Sequence, residues 1–274
     1  MTPNYVQTGY GEIHYWRCGA GTPLVLLHWA PSSGRFYAKV APHFAAHGFE
    51  VIAFDLPGYG RSHKNNVGWP IPKTAANLLE AIDGLDLGPL DLLGGHLSAS
   101  VATAMSVAGP ARIRRLVLDG ALNLEGQEWN KLLGRFGGLS PRIDAGGLFK
   151  QFPMAMVLRT LEEWNPDFEL SRSTLPQVYE LLNDYLEMGL EPMAAFLEPG
   201  SPHAPPPYDL AAALPMIRQP TLLLTCDREP LSDGFARTLA AIPDCAGHRF
   251  ADTHPLLSGR EADYAEVVSR FLKG

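Results

Sequence analysis

The feature that most constrains the fold of this chain is the alternation of short apolar runs with longer amphipathic segments. The apolar runs are bounded by Gly, Pro or Asp, as buried strands usually are. Strands are predicted at "EIHYW", "TPLVLLHW", "EVIAFD", "LDLLGG", "IRRLVLDG", "PTLLLTCD" and "GHRFAD". The intervening segments, such as "GRFYAKVAPHFAAHG", "TAANLLEAIDGLDLG" and "READYAEVVSRFLKG", have helical periodicity and are predicted helices. This order predicts an α/β protein with a mostly parallel central sheet and helices on both faces.

One long segment interrupts the alternation. From about Leu122 to Asp209, helical stretches such as "LPQVYELLNDYLEMGL" dominate, and the Pro-rich "EPGSPHAPPPYD" closes the segment. Strand and helix alternate again from "PTLLLTCD" onward. We therefore predict one core domain formed by residues 1–121 and 210–274. Residues 122–209 form a helical cap over the active site, called the cap segment below.

Composition excludes several classes of function. The 274 residues are 46% hydrophobic and 19% charged, with a formal net charge of -7, which is ordinary for a globular enzyme. Negative charge without a basic patch argues against binding to nucleic acid or to an anionic membrane. The N-terminal "MTPNYVQTGYGEIHYW" lacks the pattern of a signal peptide, and the longest apolar runs are too short to span a bilayer. Three cysteines without metal-type spacing favour a reduced, cytoplasmic setting.

Five motifs occur in an order that resembles the α/β-hydrolase fold superfamily. They are the strand and loop "LLHWAPSSGRFY", the turn "VIAFDLPGYGRS", the nucleophile elbow "LLGGHLSASVA", the acid strand "PTLLLTCDREP" and the histidine loop "ADTHPLLSGREADYAEVVSRFL". The resemblance covers nearly the whole chain outside the cap segment. It implies a triad of nucleophile, histidine and acid, with an oxyanion hole formed by two backbone N–H groups.

The chain departs from this family at the elbow, where a histidine stands in the expected place of the serine. The elbow is a strained turn that needs small residues two before and two after the nucleophile. Gly94-Gly95-His96-Leu97-Ser98 satisfies this rule, because Gly94 and Ser98 are both small. The rival register makes Ser98 the nucleophile and puts the bulky His96 at a crowded position. We therefore predict that His96 occupies the elbow, as in some members of the superfamily.

The same resemblance implies an acid and a second histidine. Glu229 in "TCDREP" aligns with the usual acid, and Asp227 is an alternative by register. Asp119 at the end of "LVLD" is another alternative, because some members place the acid there, although we favour a strand-end cap for it. His254 in "DTHP" stands in the usual loop before the final helix. The predicted catalytic set is therefore His96, His254 and Glu229, with Glu229 behind His254.

The predicted oxyanion donors are the backbone N–H groups of Leu97 and Ala30. In this chain "HW" replaces the common "HG" before Ala30. Trp29 therefore narrows the pocket or stacks on a flat substrate, unless it only packs under the cap segment. His28 lines the pocket or makes hydrogen bonds behind the oxyanion loop. Trp29 and His28 are the predicted substrate-binding residues.

Two imidazoles in one site predict coupled titration and acid–base chemistry near neutral pH. We predict an enzyme without cofactor or metal that acts on a small, mainly apolar carbonyl compound. The reaction is a general acid–base hydrolysis or a lyase- or decarboxylase-type step. Three alternatives stay open: a nucleophilic His96 that forms an acyl-imidazole, a non-catalytic ligand-binding protein, and a metal site of His96, His254 and a carboxylate. The predicted partner is a small-molecule substrate, and a homodimer stays open because dimers are common in this fold.

Overall fold

The fold is known from a computed structural model. The structure describes residues 1–66, 69–128, 154, 157–158, 160–162, 165, 167–188, 208–229 and 231–274. Most of the cap segment lies outside these residues. Its boundaries at 122 and 209 therefore stay predictions.

The described residues build one sheet of eight strands. The strands are β1 (Thr2–Thr8), β2 (Gly11–Gly19), β3 (Thr22–Leu27), β4 (Phe49–Phe54), β5 (Leu90–Gly95), β6 (Ile113–Asp119), β7 (Thr221–Cys226) and β8 (Cys245–Phe250). Their order across the sheet is β1-β2-β4-β3-β5-β6-β7-β8. The β1–β2 and β2–β4 pairs are antiparallel, and every pair from β4 to β8 is parallel. The predicted fold class is confirmed.

The α-helices in the described part of the chain connect these strands. They are α1 (Ala41–Ala46), α2 (Ile71–Gly84), α3 (Leu97–Ala108), α4 (Leu175–Met188), α5 (Leu210–Ala213), α6 (Phe235–Ala241) and α7 (Glu261–Lys273). Short 3-10 turns lie at Gly34–Tyr37, Leu214–Met216, Ser232–Gly234 and Pro255–Leu257. Helix α4 belongs to the cap segment and contacts the loop that follows β3.

The two faces of the sheet carry separate hydrophobic cores. Alternate side chains of β3 point to opposite faces, so Val25 and Leu27 join the core that includes α2 and α3. Leu24 and Leu26 join the other core, which includes residues of α1 and α7. Each fully buried leucine contributes about 1.5–3 kcal/mol of transfer free energy. Burial on both faces explains why inner parallel strands such as β3 and β7 are largely apolar.

Two local predictions differ from the structure. Strand β1 is not predicted, because "TPNYVQT" is mostly polar and is ordered by antiparallel pairing with β2, in which Val6 lies opposite Ile13. The segment "GRFYAKVAPHFAAHG", predicted as one helix, is divided into the 3-10 turn Gly34–Tyr37 and α1. Pro42 explains the division, since proline is tolerated in the first turn of a helix but not in its interior.

Candidate active site

The candidate site lies where the parallel strands β3, β5, β6 and β7 end at the same edge of the sheet. His96 connects the last residue of β5 to the first residue of α3, and its backbone has φ 52° and ψ -118°. A residue other than glycine or asparagine rarely adopts positive φ, and holding it there costs about 1–3 kcal/mol. The His96 N–H donates to the Asp119 carbonyl oxygen over 2.8 Å, which holds the turn against the end of β6. Such a turn presents one side chain above the sheet edge.

Glycine at position 94 is what allows this tight connection. A Cβ at Gly94 would lie 2.4 Å from the Ser98 carbonyl oxygen and 2.7 Å from the Ala102 Cβ. These distances are too short for any side chain, so α3 packs directly against the end of β5. The small residue expected two positions before the elbow is therefore required by this contact.

Ser98, the rival nucleophile, is placed differently. It lies inside α3, is fully buried, and its hydroxyl donates to the His28 carbonyl oxygen. The Ser98 hydroxyl thus connects α3 to the loop after β3 by a hydrogen bond, and it is not accessible to a substrate. The geometry therefore favours the register with His96 at the elbow.

His96 is paired with Glu229. The His96 Nε2 lies 3.4 Å from the Glu229 Oε2, and His96 is 8% exposed. The other carboxylate oxygen of Glu229 accepts from the Leu231 N–H over 3.2 Å. Glu229 is thus held by the turn that follows β7, with one oxygen directed at the imidazole.

His254 is paired with Asp119, not with Glu229. Its Nε2 lies 3.2 and 3.1 Å from the two carboxylate oxygens of Asp119, and the Tyr264 hydroxyl donates to the same carboxylate over 2.8 Å. Its Nδ1 accepts from the Leu256 N–H over 3.3 Å, which places the ring proton on Nε2. The expected position of Glu229 behind His254 is wrong, and so is the preference for Asp119 as a mere strand-end cap. The reason is that β6 and β7 are neighbours, so both carboxylates reach the site.

Asp119 remains ionised in this buried position. Burial alone would raise the pKa of Asp119. The electrostatic effect and hydrogen bond of His254, the hydrogen bond from Tyr264 and the electrostatic effect of His96 outweigh burial and lower that pKa. A deprotonated Asp119 is therefore the acceptor for both ring and hydroxyl. The site contains two histidine–carboxylate pairs in place of one shared triad.

The alternative acid Asp227 points away from both pairs. Its side chain is exposed and accepts from the Asp252 N–H over 3.0 Å, next to Arg249 at 3.9 Å. These contacts belong to the turns after β7 and β8. Asp227 therefore has a structural place outside the site.

Trp29 lies between the two pairs. Its ring stacks on His96 with a centroid distance of 3.8 Å and an interplanar angle of 15°. It meets His254 edge-on at 4.8 Å. Trp29 is 1% exposed, so in this conformation it contacts the two imidazoles and does not offer a face to a substrate.

Two glycines leave room for these rings. A Cβ at Gly95 would lie 2.0 Å from the Trp29 Nε1, and a Cβ at Gly120 would lie 2.6 Å from the His96 Cδ2. Gly120 also has a positive φ of 62°. The sequence shows both glycines, but only the structure reveals that they accommodate Trp29 and His96.

His28 is part of the loop and does not reach the site. It is fully buried, its Nδ1 donates to the Trp29 carbonyl oxygen over 2.9 Å, and its Nε2 accepts from the Leu56 N–H over 3.1 Å. Burial lowers the pKa of His28, against the raising effect of its hydrogen bond to Trp29. The predicted substrate-binding role of His28 does not agree with this geometry, because backbone groups engage both ring nitrogens.

The expected oxyanion donors border the His96 turn. Leu97 is the first residue of α3, and Ala30 lies in the loop after β3. Neither N–H donates to any acceptor in the described part of the chain. Both groups can therefore donate hydrogen bonds to a developing oxyanion.

No group of three His, Cys, Asp or Glu side chains in the part of the chain that the structure describes could hold a metal ion. No helix within it has the length and apolarity needed to cross a membrane.

Comparison with known proteins agrees with this architecture. Residues 22–143 match the family model described as alpha/beta hydrolase fold. The chain is 32% identical over 108 residues to (E)-2-((N-methylformamido)methylene)succinate hydrolase of Acinetobacter baylyi, a match that covers 39% of this chain and 41% of the relative. It is 32% identical over 123 residues to 2-hydroxy-6-oxo-2,4-heptadienoate hydrolase of Pseudomonas putida, covering 43% of this chain and 44% of the relative. The matches thus span less than half the length of these curated relatives.

Solved structures match over the whole length. An esterase from Exiguobacterium antarcticum superposes with a TM-score of 0.79 at 20% identity and covers 100% of both chains. The enol-lactonase from Burkholderia xenovorans superposes with a TM-score of 0.77 at 16% identity and covers 99% of this chain and 100% of its own. At such low identity these structures establish the fold alone.

Proposed function

We propose, from the premise that this chain is a member of the α/β-hydrolase fold superfamily, that it is an enzyme without cofactor that uses His96 as its acid–base group. Its similarity to curated hydrolases supports enzymatic activity. The substrate is a small, mainly apolar carbonyl compound. The reaction is a hydrolysis or a lyase- or decarboxylase-type step.

The observation that carries this proposal is the placement of His96. The His96 ring stands at the strained turn, 3.4 Å from the Glu229 carboxylate, and the Leu97 N–H follows directly in the chain. Together with the expected Ala30 donor, these groups are the parts of an acid–base site. The 3.4 Å separation is long for a hydrogen bond, as catalytic contacts often are before substrate binds. Strained backbone conformations of this kind cluster at functional sites, which supports a functional role for the His96 turn.

We assign the steps as follows. His96, with Nε2 turned to Glu229, exchanges a proton with water or with the carbon next to the substrate carbonyl through Nδ1. Glu229 stabilises the imidazolium that forms. The N–H groups of Ala30 and Leu97 stabilise negative charge on the substrate oxygen, an effect worth about 3–4 kcal/mol for one donor. His254 supports the site, because Asp119 and the Leu256 N–H engage both of its nitrogens.

The names of the relatives support a small substrate with a carbonyl group. The curated hydrolases are named for an oxo-heptadienoate and for a formamido-methylene succinate, both small molecules that contain carbonyl groups. The free thiols of Cys18, Cys226 and Cys245 support the proposed cytoplasmic setting. A homodimer is compatible with the proposal and is not required by it.

The test is a turnover screen of the purified protein on short-chain esters, lactones and β-keto acids, with product identification by mass spectrometry. We expect a product whose formation is lost in Glu229→Gln. A ligand that binds saturably and is recovered unchanged would instead support the non-catalytic alternative. A serine-directed fluorophosphonate distinguishes the two registers, because stoichiometric labelling of Ser98 would refute the place of His96.

A further inference from the structure

A buried carboxylate connects the cap segment to the loop that carries Ala30. Asp184 lies on α4 and is 6% exposed. Its Oδ1 accepts from the Ser33 hydroxyl over 2.8 Å, and its Oδ2 accepts from the Ser32 hydroxyl over 3.0 Å. Both serines are buried as well. Two hydrogen bonds to one ionisable group make this a specific contact between cap and core.

The loop that contains Ser32 and Ser33 is also held by residues of the core domain. Ser33 caps the 3-10 turn Gly34–Tyr37 by accepting from the Arg35 N–H, and the Gly34 N–H donates to Asp55 over 2.7 Å. Asp55 belongs to the turn after β4. Residues 30–34 are thus held between one carboxylate of the core and one carboxylate of the cap segment. Only the second of these contacts depends on the position of α4.

Keeping a carboxylate in this place is costly. Burial raises the pKa of Asp184 to about 6, and the negative charge of Asp55 adds to this, while Ser33, Ser32 and Arg35 act in the opposite direction. A leucine or asparagine would fill the same volume without a buried charge. The Asp184 carboxylate is therefore better explained by its hydrogen bonds to the loop of Ser32 and Ser33 than by a contribution to stability.

We propose that Asp184 is a positioning residue that fixes the oxyanion loop when the cap segment is docked. Ser32 is two residues after Ala30, so the two hydrogen bonds determine where the Ala30 N–H points. Oxyanion stabilisation depends on donor positions within a few tenths of an ångström. The site is then complete only with α4 in place, which couples the position of α4 to that of the oxyanion loop. This inference rests on the proposed function for its effect on rate, but the coupling itself is independent of that function.

Hydrogen exchange tests the coupling without a substrate. The full-length protein is compared with Asp184→Ala, Asp184→Asn and the exposed matched control Glu180→Gln on the same helix. We expect the amides of Gly34, Arg35 and Phe36 to exchange at least tenfold faster in Asp184→Ala, because their hydrogen bonds to Asp55 and Ser33 hold this loop. The rates should be close to wild type in Asp184→Asn and Glu180→Gln, because asparagine can still bond both hydroxyls. Unchanged exchange in this loop, or an equal increase throughout the sheet, would overturn the proposal.

Kinetics on any substrate found by the screen test the consequence. Asp184→Ala should lower kcat at least tenfold with KM changed less than threefold, and Asp184→Asn should recover most of the loss. If Asp184→Ala does not fold, the double variant Ser32→Ala and Ser33→Ala removes the same hydrogen bonds from the core side. A rise in KM alone would overturn the positioning role. Failure of the wild type to turn over any compound would refute the proposed function, while the exchange result would still decide the coupling.

Discussion

Gly95→Ala tests the packing of Trp29 against the His96 turn. The new methyl group would lie 2.0 Å from the Trp29 Nε1 and 2.1 Å from its Cδ1, far below van der Waals contact. Because Trp29 is stacked on His96 at 3.8 Å, the indole must move and the stack must break. Such overpacking costs about 1–3 kcal/mol, and loss of the aromatic pair adds about 0.5–1.5 kcal/mol. Alanine in place of glycine regains about 0.4–1 kcal/mol through the unfolded state.

The expected net loss in the free energy of unfolding is therefore about 0.5–4 kcal/mol, measured by urea denaturation. The matched control is Gly88→Ala, an exposed site at which a Cβ meets no atom within 4 Å. It should change stability by less than about 0.5 kcal/mol or stabilise slightly. In a Trp29→Leu background, Gly95→Ala should cost less than in wild type, because the clash is with the indole. Equal stability of Gly95→Ala and Gly88→Ala would refute the described position of Trp29.

Three further predictions concern buried polar groups. Since burial raises the pKa of Asp184 from 3.8 to about 6, and one pKa unit corresponds to about 1.4 kcal/mol, Asp184→Asn should stabilise the protein by up to about 3 kcal/mol above pH 6. The wild-type protein loses stability as pH rises through about 6, because Asp184 must then be buried in its charged form. The stability advantage of Asp184→Asn in denaturation curves should therefore vanish below about pH 4. An advantage that does not change with pH would contradict this prediction. Tyr264→Phe should cost about 1.5–3 kcal/mol, because the hydroxyl donates to the charged Asp119, whereas Tyr37→Phe loses a bond to a neutral carbonyl and should cost about 0.5–1.5 kcal/mol. Equal costs would show that the Asp119 carboxylate is not ionised. Because the pKa of Asp119 is lowered in the fold, its ionised form stabilises the protein above the usual pKa of an aspartate, and this stabilisation is lost as pH falls. In Asp119→Asn the free energy of unfolding should therefore decrease less steeply at acidic pH. An unchanged decrease would contradict this.

The sheet and the His96 turn were predictable because their signals are local. Continuous apolar runs mark strands that are buried on both faces, and the small residues around His96 mark a backbone too crowded for larger ones. Strand β1 carries no such signal, since its place depends on pairing with β2. Sequence patterns thus locate elements whose burial is complete.

The partners within the site were less predictable. Asp119 and Glu229 both follow strands that end at the same edge, so register alone does not decide which histidine each will contact. The contact of Asp184 with Ser32 joins residues 152 positions apart in the chain and has no local pattern. Trp29 stands out in the sequence because it replaces a common glycine, but its stack on His96 depends on the fold of the whole chain. Side-chain pairing across elements is the part that only the structure provides.

The most direct test of the account compares His96→Gln with the matched control Ser98→Ala on the compounds that the wild-type protein turns over. General acid–base catalysis contributes about 10²- to 10⁴-fold. The account predicts that His96→Gln loses at least 100-fold in kcat/KM, whereas Ser98→Ala stays within about tenfold of wild type, since it loses only one buried hydrogen bond to the His28 carbonyl. Full activity in His96→Gln together with loss of activity in Ser98→Ala would contradict the proposed role of His96.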